Sequence, residues 1–165
     1  KIKNILAICW GMQVAVTAAG GEVNRGKNGA HRGIAHEIVI NSDGLNHPIY
    51  KDKDKIFNTP AFNYDEVVTL PNDAILLSSN KVNNVMALNF ETEFSKIWGI
   101  QYHPEITYEK MITLIRFRRE RLLENKSFSD EKDLESHISM IEKEDKITKK
   151  ESRMRELKNW LDLIA

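Results

Sequence analysis

Ile2-Lys3-Asn4-Ile5-Leu6-Ala7-Ile8-Cys9-Trp10-Gly11-Met12-Gln13 is the stretch whose reading decides the fold, together with the Val14-Ala15-Val16-Thr17-Ala18-Ala19-Gly20-Gly21 that follows it. The apolar run ending at Ile8 predicts a strand buried on both faces. The small residues and methionine after it predict a tightly packed helix that stops at the paired glycines. Strand, sharp turn and helix therefore meet at Cys9. A helix N-terminus aimed at a cysteine favours the thiolate, and Gly11 permits close backbone approach. The same device exposes the nucleophile of many hydrolases, where the next N–H, here that of Trp10, can face an oxyanion. A buried structural thiol is the competing reading.

Outward from this stretch, strands are predicted at Ile34–Asn41, Val67–Leu70, Ala74–Ser79, Val85–Phe90 and Lys96–Tyr102. Pro71-Asn72-Asp73 and Glu91–Ser95 read as turns, and Pro104 ends the last strand because it lacks a ladder donor. The pattern turns helical from Tyr108 to about Glu124. Ser129 reads as the cap of a helix lined by Leu134, Ile138 and Ile141, and a last helix carries Met154, Leu157, Leu161 and Ile164 at helical spacing. The organisation is α/β followed by an α-helical tail.

Composition agrees with a division near residue 115. Half of the last fifty positions are charged, 13 basic and 12 acidic, against 23 of the first 115. Residues 1–115 read as the core and residues 116–165 as a helical C-terminal extension packed on it. Lysine plus arginine and aspartate plus glutamate both total 24, so bulk positive charge for nucleic acid is absent. No apolar run approaches the roughly 18 residues that span a bilayer. One cysteine excludes internal disulfides and fits a reducing cytoplasm. A cytoplasmic protein binding neither nucleic acid nor membrane is expected.

His103 and Glu105 supply a second group of chemistry at the end of a strand, where open α/β proteins place their sites. Residues two apart in an extended segment share a side, so Glu105 can orient the His103 imidazole. A thiolate, a histidine base and a carboxylate make a complete nucleophilic unit. Ile8-Cys9-Trp10-Gly11-Met12-Gln13 with Gly99-Ile100-Gln101-Tyr102-His103-Pro104-Glu105 closely resembles the class I, triad-type glutamine amidotransferases, whose signatures are G-I-C-x-G-x-Q and G-x-Q-x-H-P-E. Asp65-Glu66-Val67 is similar to the D-x-V segment of the GMP synthase amidotransferase domain. The tail around Glu156-Leu157-Lys158-Asn159-Trp160-Leu161 is similar to that of stand-alone, GMP-synthase-like bacterial members.

The resemblance implies a flavodoxin-like, three-layer fold with a mostly parallel sheet. It implies that Cys9 attacks the carboxamide of L-glutamine, that His103 shuttles protons and that Glu105 holds His103. Trp10, Gln13, Tyr64 and Asp65 fall at the substrate-binding positions. No cofactor or metal is implied, and the ammonia would pass to a synthase partner, for which this chain carries no S-G-G-x-D-S nucleotide loop. A γ-glutamyl hydrolase or cysteine peptidase of the same fold is the alternative activity.

Departures from the pattern accompany it. Family members have one or two strands and a glycine-rich loop before the elbow, so the chain is expected to be N-terminally truncated and its catalysis impaired. Ala7 stands for a usual glycine, and Phe62-Asn63-Tyr64-Asp65 replaces a histidine-glycine-aspartate segment. Gly21–Asn28 nearly matches a phosphate loop but follows a helix and ends in Asn28, and a basic connecting loop is expected there. His31, His36 and His47 match no compact zinc spacing. Arg116, Arg118, Arg119 and Arg121 read as a solvated helix face.

Overall fold

The first strand and a late one lie side by side, and everything else is arranged around that pair. The structure, a computed structural model, describes residues 3–165; Ile2, the expected start of the first strand, lies outside the described residues. The chain runs β1 (Lys3–Ile8), α1 (Trp10–Ala18), β2 (Glu22–Arg25), β3 (His31–Arg32), β4 (Ala35–Ile40) and α2 (Ser42–Leu45). A 3-10 turn at Pro48–Tyr50 leads to β5 (Ile56–Thr59), β6 (Phe62–Asn63), β7 (Asp65–Thr69), β8 (Ile75–Ser79), β9 (Ala87–Glu91) and β10 (Ser95–Ile100). Five helices follow: α3 (Tyr108–Phe117), α4 (Arg119–Glu124), α5 (Glu131–Ile147), α6 (Lys150–Arg153) and α7 (Arg155–Ile164).

The central sheet has six strands in the order β1-β10-β9-β8-β4-β5. β1 pairs with β10 in parallel, Ala7 opposite Gly99 and Ile8 opposite Ile100, while the other four pairings are antiparallel. The α/β class stands, but the sheet is mixed rather than mostly parallel. The cause is loop length: β8, β9 and β10 are joined by short connections, and a parallel return would need a crossover of about a dozen residues. β1 is also not buried on both faces. Its first three described residues are exposed, Ile5 at 40%, because among the described residues it is the edge of the sheet.

Two apolar layers sandwich the sheet. On one side Met12 and Val16 of α1 meet Ala7, Leu88, Phe90 and Ile97. Gly99 makes this contact possible, since a Cβ there would sit 2.7 Å from Met12 Cγ. On the other side Ile38, Ile40, Leu77, Met86, Ile100 and Tyr102 pack with Trp160 of α7 against them. A third cluster, including Ile34, Tyr108, Ile115, Leu122, Leu134 and Ile138, binds α3, α4 and α5 together.

The helical tail departs from its expected outline in three places. The helix predicted over Tyr108–Glu124 breaks at Arg118 (φ −96°, ψ 10°) into α3 and α4. Asp130, not Ser129, caps α5 by accepting from Asp133 N; the Ser129 hydroxyl instead donates to Asp133 Oδ2 at 3.2 Å. On α7 the expected apolar stripe is largely outside, Leu161 at 55% and Ile164 at 45% exposure, and the buried residues are Glu156 and Asn159. The surface they meet explains this inversion. Asn159 donates to the carbonyls of Ile49 and Lys51, and Glu156 accepts from Lys53 Nζ at 3.1 Å and Tyr102 OH at 2.8 Å. Since Glu156 accepts from Tyr102, the hydroxyl chain is directed: Ser78 donates to Tyr50 (2.7 Å), and Tyr50 to Tyr102 (2.9 Å).

Candidate active site

Cys9 closes β1 and opens α1 with φ 51° and ψ −111°, a conformation that L-residues seldom adopt. Its N–H donates to Ile100 O at 2.7 Å and its carbonyl accepts from Gln13 N at 3.2 Å, so the turn is held from both sides. At the first turn of α1 the N–H groups of Trp10 and Gly11 have no acceptor within the helix. The Trp10 side chain points away and is 75% exposed.

Because Ile8 pairs with Ile100, the residues leaving β10 run past Cys9. Alternation puts Gln101 and His103 on one side. Gln101, fully buried, donates through Nε2 to Cys9 Sγ at 3.5 Å. His103 N donates to Pro60 O at 2.8 Å, and its Nδ1 bonds Glu105 Oε1 at 2.7 Å. Burial disfavours the imidazolium, yet the neighbouring Cys9 and the bonded Glu105 outweigh it, pushing the His103 pKa up to about 9. His103 is thus bonded to Glu105 and stands beside Cys9. Behind it, Arg153 of α6 donates Nη1 to the carbonyls of Pro104 and Ile106 (3.0 Å to the latter), on either side of Glu105.

Gln13 lies one turn into α1, where its Nε2 donates to Asp65 O (3.0 Å) and Gln101 Oε1 (3.1 Å). Asp65 contributes its carbonyl to this junction while its carboxylate is exposed. Tyr64 bonds Ser127 Oγ at 2.9 Å and carries the Arg25 guanidinium 4.3 Å above its ring. Cys9, Gln13, Tyr64 and Asp65 all line one open cavity of about 380 Å³, to which Arg118 and Arg121 also contribute. The arginine cluster therefore divides. Arg116 and Arg119 point to α5, at 3.7 Å from Glu135 and 2.6 Å from Glu131, whereas Arg118 and Arg121 turn into the cavity instead of forming a plain solvated face.

Two positions escaped the sequence reasoning. Gln101 stood inside a quoted motif without a role, although strand alternation with His103 already puts it on the same side. Asn63 is buried and donates to Asp65 O and Asn83 Oδ1, both at 3.0 Å, while its Oδ1 accepts from His31 Nδ1 at 2.8 Å. Burial pushes the His31 pKa down, so the ring is neutral; its Nε2 accepts from Asn80 Nδ2 at 3.0 Å. These pairings join residues far apart in the chain, and no local pattern announces them. Among the described residues, no group of three or more His, Cys, Asp or Glu side chains is placed to hold a metal ion, and no helix is long and apolar enough to cross a membrane.

Comparison with known proteins gives a consistent set. The sequence model of the family described as glutamine amidotransferase class-I matches residues 1–119. A gamma-glutamyl-L-1-hydroxyisopropylamide hydrolase of Pseudomonas is 30% identical, with 98% of this chain and 61% of that protein covered. A glutamine-hydrolyzing GMP synthase subunit of Methanosarcina acetivorans is 32% identical over 64% of this chain and 52% of its own. A crystal structure of a glutamine amidotransferase from Thermotoga maritima superimposes with a TM-score of 0.69 at 21% identity, covering 96% of this chain and 61% of that one. The chain thus spans between about half and three-fifths of the length of these relatives.

Proposed function

The chain belongs to the class-I glutamine amidotransferase family, and on that premise we propose that it hydrolyses the γ-amide bond of L-glutamine or a γ-glutamyl amide, with Cys9 as nucleophile. The observation that carries this reading is His103, bonded to Glu105 at 2.7 Å and close enough to Cys9 to be charged by it, beside a cavity that Cys9 itself lines. In the first half-reaction the Cys9 thiolate attacks the amide carbon. The C–N bond breaks, and the departing nitrogen takes the proton held by the His103 imidazolium, leaving a γ-glutamyl thioester. In the second, His103 removes a proton from water, whose oxygen attacks the thioester carbon. Glutamate departs, and the thiolate and imidazolium are restored.

Each neighbour has a part in this scheme. Glu105 accepts from His103 Nδ1 and so leaves Nε2 to serve the reacting atoms. The Trp10 N–H, at the free end of α1, faces the oxygen that becomes negative, a role whose loss typically costs about 100- to 1,000-fold in rate. Gln13, Tyr64 and Asp65 bound the glutamyl pocket, with the Asp65 carboxylate suited to the α-ammonium. Ammonia from glutamine would pass to an acceptor on a synthase partner, as the GMP synthase relatives suggest.

A second reading, hydrolysis of a substituted γ-glutamyl amide with no acceptor, is favoured by one observation. By sequence, the match to the gamma-glutamyl-L-1-hydroxyisopropylamide hydrolase extends across the helical tail, 98% of the chain, whereas that to the GMP synthase subunit covers 64%. The test is ammonia release from L-glutamine, with mass-spectrometric labelling of the thiol by an electrophilic glutamine analogue. Release that vanishes in Cys9→Ala, with labelling at Cys9 blocked by free glutamine, is the expected result. A folded chain that neither releases ammonia nor takes the label at Cys9 would sink the proposal; labelling without turnover would mark a site that binds but does not hydrolyse.

A further inference from the structure

The cavity beside Cys9 carries a charge that glutamine does not balance. Arg25 of β2 and Arg118 and Arg121 from the α3–α4 break line it, with Asp65 as its sole lining carboxylate. Among the described residues none of the three arginines has a carboxylate partner within 4.0 Å, although Arg116 and Arg119 on the same helices are paired. A glutamyl unit brings one carboxylate and one ammonium. If Asp65 takes the ammonium and one guanidinium the carboxylate, two guanidinium groups face the cavity uncompensated.

Two of the three, Arg25 and Arg118, are also held in place. The Arg25 guanidinium sits 4.3 Å over Tyr64, and that of Arg118 sits 5.3 Å from the centroid of Phe62. Phe62 and Tyr64 meet edge to face with centroids 6.0 Å apart, and Tyr64 is tied to Ser127. Stacking fixes a guanidinium by its face and leaves its N–H edge free for a carboxylate. The Phe62-Asn63-Tyr64 segment, which departs from the family pattern, is thus the platform for the arginines.

We propose that Arg25, Arg118 and Arg121 form an anion-recognising subsite for the amine portion of a γ-glutamyl amide, so that amides whose leaving amine carries a carboxylate are the preferred substrates. This inference rests on the γ-glutamyl hydrolase reading and names its substrate class. The cavity of about 380 Å³ has room for such a dipeptide-sized ligand.

The test compares γ-glutamylglycine, whose amine portion is anionic, with γ-glutamylethylamide, whose amine portion is neutral. Dissociation constants are measured by calorimetry on the full Cys9→Ala chain, and release of glycine or ethylamine on the chain with Cys9 intact. Expected is a preference for γ-glutamylglycine of about tenfold or more, the scale of a charge-assisted bidentate contact. It should fall towards unity in Arg118→Gln and Arg121→Gln and persist in Arg116→Gln. Equal affinity for the two amides, no binding of γ-glutamylglycine, or a preference unmoved by both arginine variants overturns the subsite. Selective binding without amine release keeps the subsite and removes the hydrolase reading. Release of both amines at equal kcat/KM does the reverse.

Discussion

Cys9 and His103 each bear a measurable consequence. A positive φ at a non-glycine residue costs about 1–3 kcal/mol, and glycine removes the steric part of that cost while adding about 1 kcal/mol of unfolded-state entropy. Cys9→Gly is therefore expected to be inactive and more stable than the parent by about 1 kcal/mol, read as a higher urea midpoint at unchanged slope; a lower midpoint would show that the turn stores no strain. His103 has a folded pKa of about 9 against an ordinary 6.5. The raised value means that its contribution to stability is complete below about pH 6.5 and is lost as the pH rises through about 9. In the proposed reaction protonated His103 is also the acid for the leaving nitrogen, so kcat/KM should fall with an alkaline limb near pH 9. Glu105→Gln, which keeps the hydrogen bond but removes the charge, should move that limb to lower pH. A limb that stays put would mean that Glu105 does not act on His103.

At the scale of elements, α1 packs closely on β10. Gly99→Ala would push a methyl to 2.7 Å from Met12 Cγ and 3.1 Å from Leu88 Cδ1. A loss of about 1–3 kcal/mol is expected, partly recovered by Met12→Ala in the same chain, and equilibrium unfolding of the two singles and the double would read the coupling. The elements that make this packing were legible beforehand, though not the contact itself. The run ending at Ile8 and the small-residue helix to Ala19 name their own periods, and His103-Pro104-Glu105 marks a strand end. The short strands β2, β3, β5 and β6 were not legible, because each is defined by a partner distant in sequence rather than by its own alternation. Near the site, the local pairs followed from spacing. The Asn63–His31–Asn80 bonds and the turn of Arg118 and Arg121 into the cavity depend on tertiary packing, which no single window contains. The apolar stripe on α7 misled for the same reason: beside Trp160, the surface receiving that helix offers polar partners to Glu156 and Asn159.

For the molecule as a whole, the tail and the site are mechanically joined. Lys53 and Glu156 are 1% and 0% exposed at their side chains and bond each other at 3.1 Å. Removing one member strands a buried charge, so Glu156→Leu is expected to cost about 3–5 kcal/mol and Lys53→Met a similar amount, while the double variant should lose clearly less than their sum. Thermal unfolding of the three chains reads this directly. Arg153 reaches from α6 to the carbonyls flanking Glu105, so Arg153→Met should lower the alkaline limb of kcat/KM as the carboxylate loosens from His103; a simple loss of folded protein would leave the limb where it is. The same arginine makes a closed excursion of everything between Ile106 and itself, tied at its base and filled by an apolar cluster around Tyr108, Leu134 and Ile138 that also takes in Ile34. Lengthening a loop whose ends are already pinned adds little entropy cost. Natural variation can therefore redraw this excursion, and with it Arg118 and Arg121, without disturbing Cys9 and His103, so that on the proposed reading what the protein accepts and what it does to it are free to evolve separately.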